Sequence, residues 1–108
     1  MRSLAACALV ALALAGTAST ATRPASIRIA TSKPFVVKGL RFKANETVRV
    51  VVSFKGTHTR VVKATARGAF TARFLRLKVR FCDGYIVRAT GNKGSHAYVR
   101  RISDCIGG

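Results

Sequence analysis

Apolar and polar side chains alternate along most of the chain after residue 26. In the clearest run, residues 47–54, the apolar positions are Val48, Val50, Val52 and Phe54. Because successive side chains of a strand point to opposite faces, a period of two is typical of a strand with one face in a core. The 3.6-residue period of an amphipathic helix does not appear in this part of the sequence. The pattern therefore predicts an all-β domain.

Short segments rich in turn-forming residues separate the alternating runs. Gly56, Gly68 and Gly84 each fall in such a segment, and Gly-Asn-Lys-Gly at residues 91–94 is a strong hairpin signal. About seven short strands result, at spacings of about ten residues. Regular short strands joined by turns are typical of a sandwich or a barrel.

A change in the phase of the apolar alternation helps to decide between a sandwich and a barrel. Apolar positions are even-numbered from Phe70 to Phe74 and odd-numbered from Leu75 to Phe81. A slip of one residue moves side chains to the other face of a strand, so we expect a β-bulge or a switch between sheets here. Closing a barrel would need a continuous ladder. We therefore predict a two-sheet antiparallel sandwich and assign all six phenylalanines, including Phe81, to its core.

The N-terminal segment has the order of a secretory signal peptide. Arg2 precedes an apolar run from Leu4 to Ala15, and small residues follow it. The run is shorter than the roughly 20 residues of a membrane anchor, and the lipoprotein-like box ending at Cys7 lies very early. We predict a signal peptide over residues 1–21 with cleavage near residue 18 or 21, a lead-in over 22–25, a single domain over 26–108, and a secreted, extracytoplasmic location.

Removal of the signal peptide would leave two cysteines, Cys82 and Cys105. In an oxidising compartment an even number of cysteines indicates disulfides, and two permit only one pairing. A redox pair would need Cys-x-x-Cys spacing. A metal site would need more clustered ligands than His58 and His96 can add. A structural disulfide is therefore the predicted role.

Charge is the strongest compositional anomaly, with 20 Lys plus Arg against three acidic residues. Such a field attracts polyanions in a salt-dependent way, and arginine suits bidentate contact with phosphate and carboxylate. Eight cations form the predicted basic stripe: five fall at outward positions from Arg73 to Arg88, one tips the last hairpin, and two lie on the strand paired with it. These polyanion-binding candidates are Arg73, Arg76, Lys78, Arg80, Arg88, Lys93, Arg100 and Arg101.

The segment FVVKGLRFKANETVRVVVSF resembles a motif of small secreted bacterial Ig-like modules. The matching positions are Gly39, Phe42, Glu46, Val48 and Val50. RGAFTARF and YIVRATGNKGSHA resemble the following strand and the last hairpin of those modules. The neocarzinostatin-type apoproteins share a similar sandwich, but this chain is strongly basic and has one cysteine pair instead of two. The resemblance implies an Ig-like fold and no particular ligand.

With three acidic residues, the chain has few carboxyl groups that could act in acid–base catalysis. Asp83 and Asp104 each adjoin a disulfide cysteine, where they would act as a general acid–base pair or as partners of turns and arginines; the second role is favoured. Ser95 and His96 are neighbours in a strand and point to opposite faces. No phosphate-cradling glycine loop is present. We predict no enzymatic activity, no cofactor and no metal.

The sequence thus predicts an all-β, Ig-like two-sheet sandwich of about seven strands after an N-terminal signal helix. The expected function is that of a secreted, non-catalytic basic module that binds an anionic polymer of the cell envelope by charge. One alternative is a structural or protein-interaction module whose charge is incidental. Another is a cationic protein that acts at an anionic membrane surface. Sequence-specific nucleic-acid recognition is not expected, because no recognition helix is present.

Overall fold

A computed structural model describes residues 23–105. It contains seven strands, which we number in chain order. They are β1 (Ser26–Ser32), β2 (Phe35–Leu40), β3 (Thr47–Ser53), β4 (Thr57–Lys63), β5 (Phe70–Phe74), β6 (Tyr85–Gly91) and β7 (His96–Arg101). The predicted signal peptide lies outside the described residues. Within 23–105, no helix is long and apolar enough to span a bilayer.

The strands form two antiparallel sheets, in the orders β1-β2-β5 and β4-β3-β6-β7. Every pairing in both sheets is antiparallel. The predicted all-β, two-sheet sandwich of seven strands is therefore confirmed. β5 and β6 follow one another in sequence but belong to different sheets, so the chain must cross from one layer to the other between them.

The core lies between the inner faces of the two sheets. Val48, Val50 and Val52 of β3 are fully buried, as their alternation predicts. Facing them from the other sheet are Phe35 and Val37, also fully buried. Fully burying such a side chain contributes about 1.5–3 kcal/mol. Most of the stability of a domain this small must come from this one layer of contacts.

Aromatic rings pack edge-to-face at both ends of the core. Phe35 contacts Phe74 and Tyr85 with ring centroids 6.3 and 5.2 Å apart. At the other end, Phe42 and Phe70 lie 5.0 Å apart. Gly39 makes room for this second pair, because a Cβ atom there would lie only 2.1 Å from the Phe70 ring.

Residues 75–81, which we call the crossing segment, make the passage between sheets. The predicted change of phase is therefore a switch between sheets and not a bulge within one. The segment closes the end of the sandwich at the β1–β2 turn, where Phe35 N–H donates to Leu77 O and Val79 N–H donates to Ser32 O, at 2.8 and 2.9 Å. The side chains of Leu77 and Val79, on this segment, are buried in the core.

The assignment of every phenylalanine to the core is wrong for Phe81, which is 84% exposed. Phe81 continues the apolar phase of Leu77 and Val79, but the chain turns directly after Val79. A hydrogen bond from Asp83 N–H to Arg80 O closes that turn. The turn carries the Phe81 side chain past the edge of the core, a result that the alternation alone does not reveal.

Candidate polyanion-binding surface

Glu46 is fully buried at the start of β3 and belongs to the scaffold. Its carboxylate accepts hydrogen bonds from the backbone N–H groups of Lys43, Lys93 and Ser95, at 2.9, 2.7 and 3.1 Å. It thereby ties the β2–β3 connection to the β6–β7 hairpin. Gly91 provides the space, because a Cβ atom there would lie 2.2 Å from the carboxylate.

The hydrogen bonds set the charge state of this carboxylate. Burial by itself raises the pKa of Glu46, but hydrogen bonding from the Ser95 side chain and from the three backbone groups outweighs it and lowers the pKa to about 2. The charge is therefore present at neutral pH but is kept away from solvent. Glu46 does little to neutralise cations at the surface.

Asp83 lies in the turn beside the disulfide. Its carboxylate accepts hydrogen bonds from the Arg80 backbone N–H at 2.8 Å and from the Arg80 guanidinium at 3.3 Å. The backbone hydrogen bond, with the guanidinium charge, lowers the pKa of Asp83 below its usual value. These contacts match the predicted role of a partner for turns and arginines.

Cys82 and Cys105 form the predicted disulfide, with their Cα atoms 4.8 Å apart. The bond joins the end of the crossing segment to the chain after β7, and Asp104 N–H donates to Cys82 O at 2.9 Å. Both sulfurs and an Asp83 carboxylate oxygen lie within 4.8 Å of one another. Because the sulfurs are joined, they offer no thiolate ligands for a metal. The disulfide is consistent with an oxidising compartment.

The predicted basic stripe is divided among several parts of the molecule. Arg73 lies on β5 in the three-stranded sheet, whereas Arg88 and Arg100 lie on β6 and β7 in the other. Arg76 and Lys78 lie on the crossing segment. Lys93 lies at the opposite end of the sandwich. The crossover between β5 and β6 separates these residues, because it places their strands in different layers.

Three members of the predicted stripe make hydrogen bonds within the chain. Arg80 pairs with Asp83. Arg101 donates to the carbonyls of Asp83 and Arg80, at 3.0 and 2.9 Å, and its guanidinium lies 4.8 Å from the Tyr85 ring centroid. Lys93 donates to Ala44 O at 3.0 Å. These cations hold loops together and are less available to a ligand than their neighbours.

The outward face of the four-stranded sheet presents a regular row of cations. Lys63 pairs with Thr47, two residues before Arg49, and Arg49 pairs with Thr90, two residues after Arg88. The same step leads to β7, because Ile86, two residues before Arg88, pairs with Arg100. We call the resulting line across all four strands the cationic diagonal. Its members are Lys63, Arg49, Arg88 and Arg100, all exposed.

Diagonal neighbours on a sheet are about 7–8 Å apart, so the four cations are spaced nearly evenly across the face. A parallel row of Val61, Val51 and Ile86 lies on one side. On the other side, Tyr98 pairs with Arg88, whose guanidinium lies 5.4 Å from its ring centroid. The face therefore combines a line of charge with a parallel apolar row.

Carboxylates are absent from this face and from the open clefts around it. The acidic residues of the chain are Glu46, Asp83 and Asp104, and none of them has an outward position in β3, β4, β6 or β7. Across residues 23–105, the Arg80–Asp83 contact is the single salt bridge. Five surface clefts of this region have no acidic residue in their walls. The positive field is therefore not cancelled locally.

The sequence interpretation did not include Lys63, Arg49 or Tyr98 in the candidate surface. Arg49 stands at an outward position of a correctly predicted strand, so the alternation already contained a signal for it. The pairing of β3 with β6 did not follow from the sequence, because these strands are not consecutive. Without that pairing, Arg49 cannot be placed beside Arg88.

Comparisons with known proteins identify no relative whose function can be transferred. No protein-family model matches the chain, and no curated protein matches it. Among solved structures, it is similar to a carbohydrate acetylesterase from Xanthomonas citri, with 28% identity and a TM-score of 0.45. The match covers 66% of this chain but 15% of that enzyme. We draw nothing about activity from so partial a likeness.

Proposed function

We propose that this chain is a secreted, non-catalytic module that binds a linear anionic polymer of the cell envelope, and that the cationic diagonal is its principal contact. The diagonal supports this proposal because it aligns four exposed cations on the outward face of one sheet. A polymer with phosphate or carboxylate groups along its length can contact several of them at once. Each contact releases counterions, which favours binding at low salt.

The apolar row beside the diagonal favours a polymer over isolated ions. Val61 is 59% and Tyr98 53% exposed, so the face offers apolar area on both sides of the charges. The carbon backbone of a polyol phosphate or an acidic glycan can cover that area while its anionic groups meet arginine. Small anions would use only the charges.

The test compares two triple variants that remove equal charge from different faces. R49Q/R88Q/R100Q removes three members of the diagonal. R28Q/K38Q/R73Q removes three cations from the outward face of the other sheet and serves as the matched control. The probe is a linear poly(glycerol phosphate), measured by titration calorimetry at several salt concentrations.

The diagonal variant should bind roughly tenfold or more weakly than wild type, and its affinity should depend less steeply on salt. The control should lose much less. Equal losses in both variants would show that net charge alone drives binding. Unchanged binding in both would remove the proposed function and leave a structural or protein-interaction role ahead.

A further inference from the structure

The end of the sandwich that holds the disulfide exposes large apolar side chains. Phe81, Ile102 and Leu75 are 84, 72 and 66% exposed, the highest values among the large hydrophobic residues of 23–105. Leu75 and Phe81 bound the crossing segment, and Ile102 follows β7. Exposed apolar area is unfavourable in water unless a partner covers it.

Covalent and hydrogen bonds brace the backbone that carries the two most exposed side chains. Phe81 precedes Cys82, and Ile102 lies in the segment that leads to Cys105. The disulfide therefore joins the two backbone segments that carry these side chains. Arg101 also donates to Arg80 O at 2.9 Å, which ties the residues before Phe81 and Ile102 together. The two side chains are therefore displayed on a braced surface.

Cations lie on the same segments as these apolar groups and on the neighbouring turn. Arg76 and Lys78 are exposed on the crossing segment, and Arg80, also exposed, is engaged by Asp83. Lys55, on the β3–β4 turn, lines an open cleft of about 510 Å³ at this end, and no acidic residue contributes to its walls. The Arg80–Asp83 pair beside them carries no net charge, so Arg76, Lys78 and Lys55 supply the positive charge of this end. This end of the molecule therefore combines exposed apolar side chains with positive charges.

We propose that this stapled end, formed by residues 75–81 and Ile102, docks on an anionic lipid bilayer. Phe81 and Ile102 would enter the boundary between headgroups and acyl chains, as apolar side chains of peripheral proteins do. The surrounding cations would meet lipid phosphates, where each contributes to attraction by the negative surface potential. A soluble polyanion would satisfy the cations but leave the apolar side chains in water, so the bilayer is the better complement.

A fluorescent reporter can test insertion directly, because the chain contains no tryptophan. Phe81→Trp introduces a single reporter at the proposed contact, and Tyr98→Trp introduces a control on the outward sheet face. With vesicles of phosphatidylglycerol and phosphatidylcholine, the fluorescence emission of the Phe81→Trp variant should shift to shorter wavelength and be quenched by brominated acyl chains. The emission of the Tyr98→Trp variant should show neither effect. No shift at position 81, or an equal shift with soluble poly(glycerol phosphate), would overturn the proposal.

Vesicle co-sedimentation separates this proposal from the proposed function, which uses different residues. F81S/I102S should bind anionic vesicles about tenfold more weakly than wild type while keeping its affinity for soluble poly(glycerol phosphate). V61S/Y98S removes two exposed apolar residues elsewhere and should bind vesicles as wild type does. R49Q/R88Q spares Arg100, which lines the cleft at the disulfide end, and should lose most of its affinity for the polymer while keeping most vesicle binding. Wild-type vesicle binding by F81S/I102S would refute bilayer docking and leave the polymer proposal standing.

Discussion

At the scale of single residues, Glu46 shows how a carboxylate can be buried in so basic a protein. Its two oxygens accept from three backbone N–H groups that face inward from separate loops. A buried donor that loses its acceptor costs about 1–3 kcal/mol, and hydrogen bonds to a charged group are stronger than neutral ones. Glu46 therefore fixes the loop end of the sandwich opposite the disulfide.

Replacing Glu46 with Gln should lower the free energy of unfolding at neutral pH by about 3 kcal/mol. The amide removes the charge and presents an N–H₂ group to backbone N–H donors that need an acceptor. Urea denaturation at pH 7 measures the loss. Asp104→Asn, which removes an exposed acid, is the control and should change stability by less than about 0.5 kcal/mol.

The contribution of Glu46 to the free energy of unfolding should depend on pH. The pKa of Glu46 falls from 4.5 to about 2 on folding, so its stabilising contribution is fully present above pH 4.5 and is lost as the pH falls toward 2. The difference in stability between wild type and Glu46→Gln should therefore shrink over that interval. A difference that stays constant from pH 7 to pH 2 would contradict the assigned charge state.

Gly91 supplies an independent check on the buried carboxylate. Gly91→Ala places a methyl group where the Glu46 carboxylate now lies, at 2.2 Å. The carboxylate must move and lose part of its hydrogen bonding, so thermal unfolding should occur several degrees lower than in wild type. Thr90→Ala, at the neighbouring exposed position, should unfold near the wild-type temperature. Equal unfolding temperatures of the two variants would show that the Glu46 carboxylate can move without losing its hydrogen bonds.

At the scale of elements, the strands and the change of phase after Phe74 were predictable, but the path of the crossing segment was not. Strand β3 has a periodic apolar face, and its alternation reports directly on burial. Residues 75–81 have the same alternation, yet they form no ladder with a neighbouring strand. Leu77 and Val79 are buried because the segment lies across the ends of β1 and β2, and that placement depends on contacts distant in sequence. Local pattern alone could not show that Phe81 would leave the core.

Two truncations test this account of the crossing segment. Val79→Ala should lower the free energy of unfolding by about 2 kcal/mol, because Val79 is fully buried. Phe81→Ala removes a larger side chain, but it should change stability by less than about 0.5 kcal/mol, because Phe81 is 84% exposed. Chemical denaturation compares the two. A larger effect at Phe81 would place that ring in the core after all.

The disulfide acts on the same element by joining its end to the chain after β7. Cys82 and Cys105 are 23 residues apart, and closing a loop of that size stabilises a fold by about 3 kcal/mol in the chain-entropy account. Denaturation with and without reductant should show a loss of this order. C82S/C105S should unfold like the reduced protein and should not respond to reductant. Equal stability with and without reductant would mean that packing alone holds this end.

At the scale of the whole molecule, positive charge is spread over both sheets. On the outward face of the four-stranded sheet, four cations lie in a line. The sequence predicted the outward positions of β3, β5 and β6, and it predicted the β6–β7 hairpin that places Arg88 beside Tyr98. It did not predict the diagonal, because Lys63 and Arg49 reach Arg88 through the pairing of β3 with β6. Non-consecutive pairing is decided by how the two layers pack, which no local pattern contains.

A final variant separates the geometry of the diagonal from its charge. R49K/R88K/R100K keeps every positive charge but replaces planar guanidinium groups, which bind phosphate bidentately, with single ammonium groups. The slope of affinity against salt should stay near that of wild type, because counterion release follows charge. The affinity for poly(glycerol phosphate) should nevertheless fall by about threefold to tenfold, since each contact loses a directed hydrogen bond. Calorimetry over a salt series gives both quantities. Wild-type affinity in this variant would show that the diagonal acts through its charge alone.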